Sequence, residues 1–290
     1  MKKLFIPKNF RDKSLAIIQI ANEIIQEYNN QGFNLTLRQL YYQFVARNIL
    51  PNTKRSYKNL GSVINDGRLA GMIDWDAIED RTRNLATWSH YDNPMQAIQS
   101  VRDHYDIDMW ENQSSRVEVW IEKEALVGVI NNICGELDVP YFACRGYVSQ
   151  SEQWRAGQRF LKKHTHIIHL GDHDPSGIDM TRDNDTRLSM FSDFNCSIER
   201  IALNMDQIEQ YDPPPNPAKF TDSRVKGYVQ EYGYSSWELD ALEPSVIVDL
   251  IREAVEQHID PRILEADKER LEEDRTKLDL IVDQLGGEVK

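Results

Sequence analysis

From residue 116 onward, short β-branched segments alternate with helical segments, and no other feature constrains the fold of this chain as strongly. The strand-like segments read RVEVWIE, VPYFACRG and HIIHLGDHD, and the segments ALVGVINNICGEL and SEQWRAGQRFLKKH between them have helical periodicity. Such a succession predicts a largely parallel sheet covered by helices, with ligands gathering beyond the C-terminal ends of the strands. We therefore predict an α/β fold, with the sheet domain spanning residues 111–243.

Residues 1–110 are predicted to form a separate, mainly helical domain. Apolar residues recur at helical spacing between Ser14 and Tyr28, Thr36 is placed to cap a second helix, and a third helix follows Pro51 with a break near Gly67. A basic third helix followed by DWDAIEDRTRN as a candidate wing favours a winged-helix-like DNA-binding domain. The alternative is a small helical bundle whose Lys and Arg residues only solvate its surface.

The last segment, residues 244–290, is predicted to be helical and strongly charged. Leucines recur every seven residues, as in a short coiled-coil seam, at Leu264, Leu271, Leu278 and Leu285. Asp267 and Asp274 fall at complementary core positions of that seam. We therefore favour a helix that packs on its own domain or on a partner.

Charge is distributed unevenly along the chain. The net charge is −13, yet residues 1–60 contain ten Lys or Arg against three acids, a local balance of +7. A basic head could contact a polyanion while the acidic remainder holds a divalent metal. The candidate phosphate contacts in and near the third helix are Lys54, Arg55, Lys58 and Arg68.

The same overview indicates a cytoplasmic protein that does not span a membrane. There is no apolar run of about 18 residues and no charged-then-apolar leader. Three cysteines without a CxxC pair are typical of buried thiols in a reducing compartment.

Three carboxylates are predicted to converge at the ends of two strands. Glu122 ends the first strand, and Asp172 and Asp174 follow the segment HIIHL. If these strands are neighbours, three acids lie within a few ångströms, which requires a counter-charge. All-oxygen ligation without a His/Cys set indicates Mg²⁺, for which Mn²⁺ could substitute. The alternative for the aspartates is a turn or a helix N-cap, since Asp-Pro-Ser-Gly is good turn chemistry. His173 should point the other way, as a structural residue.

The motifs VWIEKEAL and, about fifty residues on, LGDHDPSGIDM resemble the Toprim domain, a Rossmann-like metal-binding module of topoisomerases, primases and some nucleases. With CRGY between them, they are most similar to the A subunit of topoisomerase VI and the related meiotic double-strand-break transesterase. In that family a winged-helix-like domain precedes the Toprim domain and supplies a tyrosine nucleophile. LRQLYYQF stands in the corresponding place here, and Val148 stands where the family has the proline of Gly-Tyr-Pro.

This resemblance implies a Mg²⁺-dependent enzyme that breaks DNA strands through a tyrosyl-phosphate. It assigns Tyr42 as the nucleophile and Arg38, one helical turn earlier, as the stabiliser of phosphate charge. It assigns Glu122, Asp172 and Asp174 as metal ligands. The implied partners are double-stranded DNA and a second copy of the chain in a homodimer, and activity could also require a separate ATPase subunit.

Two other functions stay open at this point. The metal site could activate water, which would make the protein a Toprim nuclease, or the protein could be a DNA-binding module without catalysis. The absence of a nucleophile elbow, a P-loop or a zinc motif argues against a small-molecule hydrolase.

Overall fold

The computed structural model describes residues 1–79, 88–218 and 222–287, with side chains in the last helix described through residue 284. It is a mixed α/β protein in which a small helical unit precedes a helix-covered parallel sheet. Its helices are α1 Asp12–Asn30, α2 Leu37–Ala46, α3 Lys54–Leu69, α4 Pro94–Asp103, α5 Val127–Glu136, α6 Gln150–Phe160, α7 Pro175–Phe191, α8 Met205–Tyr211, α9 Val225–Tyr232, α10 Pro244–Glu256 and α11 Pro261–Gly287. Its strands are β1 Leu35–Thr36, β2 Ile78–Glu79, β3 Arg116–Ile121, β4 Tyr141–Ala143, β5 Thr165–Leu170, β6 Cys196–Ala202, β7 Asn216–Pro217 and β8 Ser235–Ser236.

The helical unit begins with the helices that the sequence predicts. Thr36 caps α2 in a capping box, because its hydroxyl accepts from the Gln39 amide and the Gln39 side chain accepts from the Thr36 amide. The third helix, predicted to break near Gly67, ends two residues later at Leu69. A Cβ at Gly67 would lie 2.9 Å from the Ile73 side chain. This glycine therefore permits close packing of the next segment and does not end the helix.

The candidate wing lies only partly within the described residues. Ile78 and Glu79 pair in parallel with Leu35 and Thr36 and form a two-stranded ribbon. Residues 80–84 of the predicted wing lie outside the described part of the chain. The described part of this segment therefore lies beside the start of α2.

The central sheet has four parallel strands in the order β4-β3-β5-β6. It confirms the parallel sheet predicted for this region. One face packs against α5 and α10, with Val119, Ile168 and Ile251 in the core. The other face packs against α6 and α7, with Trp120 and Phe160 in a second core. The register pairs Ile121 with Leu170, so β3 and β5 end side by side at one edge of the sheet.

The C-terminal helix packs against other parts of its own chain. It lies along α4. Asp267 accepts a hydrogen bond from the Asn112 side-chain Nδ2 at 2.7 Å, and Asp274 accepts one from the Tyr105 hydroxyl at 3.2 Å. Both aspartates thus bind polar partners of the same chain at positions that a coiled-coil seam would leave apolar. Among the described residues, no helix has the length and apolarity needed to cross a bilayer.

Candidate active site

Glu122 and Asp172 meet at the C-terminal edge of the sheet. The Glu122 amide donates to the Leu170 carbonyl at 2.8 Å, which continues the β3–β5 pairing by one residue. The Asp172 amide in turn donates to the Glu122 carboxylate at 2.9 Å. The structure therefore places Glu122 directly against the turn that carries both aspartates.

Asp174 caps helix α7. Its Oδ1 accepts from the amides of Ser176 and Gly177 at 3.0 and 2.7 Å, and from the Ser176 hydroxyl at 3.0 Å. This is the capping arrangement that Asp-Pro-Ser-Gly chemistry predicts, and it fixes the carboxylate at the positive end of the helix dipole. Asp174 is thus held in place at the same edge as Glu122 and Asp172.

Burial controls the electrostatics of these acids. It raises the pKa of Asp172 to about 7 against the opposing effect of the Lys123 ammonium, which lies 3.0 Å from Asp172 Oδ1. Burial also raises the pKa of Glu122. On Lys123 itself burial acts downward, but the carboxylates of Asp240, Asp172 and Glu238 outweigh it and raise the pKa. Burial thus disfavours the ionised acids, and the nearby Lys123 ammonium offsets this effect only in part.

The three acids suit a divalent cation in their chemistry. Carboxylate oxygens are the ligands that Mg²⁺ prefers, and the raised pKa values of Glu122 and Asp172 indicate that added positive charge would be stabilising there. Across residues 1–79, 88–218 and 222–287, however, no three His, Cys, Asp or Glu side chains are already arranged around one point as metal ligands are. The donor set therefore fits such an ion, and its side chains would have to reorient to bind it.

Gly177 allows the aspartate turn to fold tightly onto α7. A Cβ at this position would lie 2.1 Å from the Asp172 carbonyl oxygen, so a Gly177→Ala substitution must displace the backbone of the site. We expect it to lower the free energy of unfolding by about 1–3 kcal/mol, measured by urea denaturation. The matched control is Gly135→Ala in α5, where a Cβ meets nothing within 4 Å. Because alanine has a greater helix propensity than glycine, this substitution should raise the free energy of unfolding by up to about 1 kcal/mol. Equal effects of the two substitutions would contradict this account.

Tyr42 and Arg38 lie on the face of α2 that meets the sheet domain. Arg38 is ion-paired with Glu238 and lies 3.0 Å from the Asp240 carboxylate, and its guanidinium is 5.9 Å from the centre of the Tyr42 ring. Tyr42 is nearly buried, and burial together with Asp240 and Glu238 raises its pKa to about 12. Its phenol contacts Arg38 and Glu238, and because burial and the two carboxylates outweigh the opposing effect of Arg38 on the pKa, the phenol is protonated at neutral pH.

Tyr41 has a different environment from its neighbour. Its hydroxyl bonds to the loop before α3, accepting from the Thr53 amide at 2.8 Å and lying 3.2 Å from the Pro51 carbonyl. It packs edge-on against Tyr57. The hydroxyl of Tyr41 thus anchors a loop.

A pocket of about 460 Å³ joins the helical unit to the sheet edge. Arg38 and Tyr42 line it from α2, and Asp174 lines it from the turn after β5. The tyrosine and one of the carboxylates predicted for catalysis therefore face the same cavity within one chain.

The predicted phosphate contacts fall into two groups. Lys54, Arg55 and Lys58 are exposed on the first turns of α3, and Lys54 lines the pocket. Arg68 instead donates to the carbonyls of Trp75 and Ile78, with its guanidinium over the Trp75 ring. The Arg68 guanidinium therefore makes intramolecular contacts, unlike the three exposed side chains of the first group.

His173 lies on the opposite side of the turn from the acids, as predicted. It is buried, its Nδ1 lies 2.8 Å from the Tyr228 hydroxyl, and its backbone pairs with that of Trp237. Burial lowers the pKa of this imidazole to about 4. It is thus a neutral side chain of the aromatic packing behind the site.

Sequence reasoning missed four charged residues of the site. Lys123 joins Asp172 to Glu238 and Asp240, and Arg200 lies beneath the aspartate turn. The Leu239 amide also donates to Asp172 Oδ1 at 2.8 Å, which ties the segment SWELDAL to the acids. The only signal was the position of Lys123 beside Glu122.

In comparisons with known proteins, no protein-family model and no curated protein matches the chain.

Proposed function

We propose that this protein is a Mg²⁺-dependent enzyme that breaks DNA strands through a tyrosyl-phosphate, in the manner of the topoisomerase VI A subunit. The proposal includes the winged-helix-like interpretation of residues 1–110 and the Toprim interpretation of residues 111–243. The observation that carries it is the common pocket of Tyr42, Arg38 and Asp174. Such a pocket holds a nucleophile, a cation and an acid from the proposed metal site around one space.

In this proposal Tyr42 Oη attacks the phosphorus of a backbone phosphodiester. The Oη–P bond forms while the P–O3′ bond breaks, so the protein becomes attached to a 5′ end and a 3′-hydroxyl is released. The phenolic proton passes to the Glu238 carboxylate, which the phenol already contacts, and the departing 3′-oxygen takes a proton from solvent. Arg38 stabilises the charge of the phosphate.

The acids Glu122, Asp172 and Asp174 would hold the metal. When bound there, Mg²⁺ would supply positive charge to the phosphate and help to orient it. Lys123 and Arg200 keep the acids in place at other times, because both cations lie against the Asp172 turn. Lys54, Arg55 and Lys58 would contact the flanking DNA backbone. A homodimer and a separate ATPase subunit remain part of the proposal as partners.

Supercoiled plasmid tests the proposal directly. The protein is incubated with plasmid and Mg²⁺ or Mn²⁺, then denatured and digested with protease. We expect linear or nicked DNA that carries peptide covalently attached to its 5′ ends. Cleaved DNA with free ends would contradict a tyrosyl-phosphate, and intact plasmid in every condition, with DNA binding retained, would identify a non-catalytic DNA-binding module.

A second candidate, a nuclease that uses metal-activated water, is favoured by one observation. Tyr42 is only 4% exposed and its pKa is raised to about 12, which makes its phenol a weak nucleophile unless the proton is removed. Water at the three acids would not depend on this phenol. Free 5′ ends in the plasmid assay would select this function.

A further inference from the structure

The pocket between α2 and the sheet edge has the chemistry of a nucleotide site. Its volume of about 460 Å³ lies within the range of about 300–1,000 Å³ for small-molecule sites. A duplex cannot enter a cavity of this size, whereas a single unstacked base can.

Aromatic rings form much of the wall. Tyr57 from α3 and Trp237 from the segment after β8 line the pocket together with the two adjacent tyrosines of α2. Both Tyr57 and Trp237 retain part of their surface exposed. Aromatic rings in a partly open cavity are the platform on which proteins stack unpaired bases, whatever the base sequence.

Amide groups stand beside these rings. Asn52, from the loop before α3, donates to Asn216 Oδ1 of β7 at 2.8 Å and to the Pro215 carbonyl at 3.2 Å, and this contact closes the wall between the two domains. Asparagine side chains both donate and accept, and they pair well with base edges. The Asn52 side chain is itself engaged by these bonds and by the Tyr41 hydroxyl, which lies 3.2 Å from its Oδ1, so the base-edge chemistry of the wall rests on Asn216, which also lines the pocket.

Positive charge lies at the rim of the same pocket. Arg38 and Lys54 line it, and both residues are exposed. The carboxylates of Asp174 and Glu238 also line it, so the pocket as a whole is not a simple anion site. A ligand with a neutral aromatic base and an attached phosphate matches this separation of rings and cations.

We infer that this pocket binds a single unstacked nucleotide, with the base among Tyr57 and Trp237 and the phosphate towards Lys54 and Arg38. The choice of DNA as the source of that nucleotide rests on the proposed function. The nucleotide would then neighbour the phosphodiester that Tyr42 attacks, so the enzyme would engage a locally opened strand. A free mononucleotide has the same chemistry and is the other source that the experiment distinguishes.

The test measures binding in a Tyr42→Phe background, where no tyrosyl adduct can form. Fluorescence anisotropy follows a dye-labelled single-stranded pentanucleotide, the same strand with one abasic position, and a blunt duplex, without divalent metal. Unlabelled dAMP is the competitor that represents the free nucleotide. A success or failure here is separate from that of the cleavage assay, because nothing in this experiment requires bond breaking.

The added substitution is Tyr57→Leu, which removes the ring face but keeps apolar volume. We expect it to weaken binding of the single strand about tenfold while binding of the duplex changes less than twofold. An abasic position that falls in the pocket should weaken binding of the single strand by a similar factor. When this strand is combined with Tyr57→Leu, we expect little additional loss of affinity. The matched control Tyr211→Leu changes an exposed tyrosine of α8 outside the pocket and should leave both affinities unchanged.

In another outcome, dAMP competes for the pocket and loses this ability in Tyr57→Leu, while binding of the strand does not depend on the Tyr57 ring. This outcome would support a nucleotide site in the pocket, with a free mononucleotide and not DNA as its ligand. The inference is overturned if the Tyr42→Phe protein with and without Tyr57→Leu binds the single strand and dAMP with equal affinity, and if no abasic position weakens binding of the strand. Circular dichroism melting of each variant checks that the fold is retained. A second substitution, Asn216→Ala, tests the opposite wall if Tyr57→Leu fails to fold, and it should also weaken single-strand binding more than duplex binding.

Discussion

A Tyr42→Phe variant is expected to form no covalent adduct with DNA and to cut supercoiled plasmid at least about 10³-fold more slowly than the unsubstituted protein. The substitution removes the oxygen that would bond to phosphorus and retains the ring. It also retains the neighbouring ion pair of Arg38 with Glu238, so the cation remains in the pocket. Gel analysis after denaturation, with and without protease, measures both adduct and cleavage.

The fold should tolerate this change. Tyr42 loses the contacts of its hydroxyl with Arg38 and Glu238, two groups that remain paired with each other, and we expect a loss of no more than about 1 kcal/mol in the free energy of unfolding. Tyr211→Phe is the matched control, since Tyr211 ends α8 away from the pocket and should leave cleavage unchanged. If the Tyr42→Phe protein cuts plasmid at the original rate, the nucleophile is water and not Tyr42.

The sequence predicted the parts of this site that follow from local pattern. β3 and β5 are short segments that are buried along most of their length and rich in Val and Ile, and a parallel pairing brings their C-terminal ends to one edge. The neighbourhood of Glu122 and Asp172 was therefore foreseeable. The same holds for the Thr36 cap of α2. In each instance the structure depends on residues a few positions apart or on one general rule of sheets.

The ionic connections between residues far apart in the chain could not be predicted in this way. Lys123 contacts Asp240, 117 positions along the chain, and Arg38 contacts Glu238, 200 positions along. A charge pattern does not specify partners at such separations, because each side chain has many possible counter-ions and only the packed fold selects among them. The segment around Glu238 therefore had no assigned role until its contacts were known.

Replacing Arg200 with methionine is expected to lower the free energy of unfolding by about 2–4 kcal/mol. The Arg200 guanidinium donates to the carbonyls of Gly171, Asp172, Leu203 and Gly177 at 2.7–3.3 Å, and to the Thr181 hydroxyl at 3.0 Å. Methionine keeps much of the volume but offers no donor, so these acceptors would lose charge-assisted bonds in a partly buried place. The expected loss is set below the upper limit for a buried charge because Arg200 retains some exposure.

The charge of Arg200 matters as well as its hydrogen bonds. Burial lowers its pKa to about 10, although Glu122, Asp172 and Asp174 act in the opposite direction, and the guanidinium is therefore still charged at neutral pH. Without it, the three acids would keep Lys123 as their near cation, and repulsion among them would add to the lost bonds. Arg200→Lys restores the charge but not the fork of donors, so it should recover only part of the stability.

Urea denaturation compares these variants with Arg262→Met, which removes a guanidinium that is 91% exposed and, within the described part of the chain, paired only with Asp260 two residues away. That control should change the free energy of unfolding by less than about 0.5 kcal/mol. If Arg200→Met unfolds at the same urea concentration as the unsubstituted protein, the aspartate turn holds its shape through its own cap at Asp174. A loss in Arg200→Met that Arg200→Lys recovers in full would assign the effect to charge alone. Partial recovery would show that the donor geometry at the carbonyls of Gly171 and Asp172 also keeps the acids in position at the sheet edge.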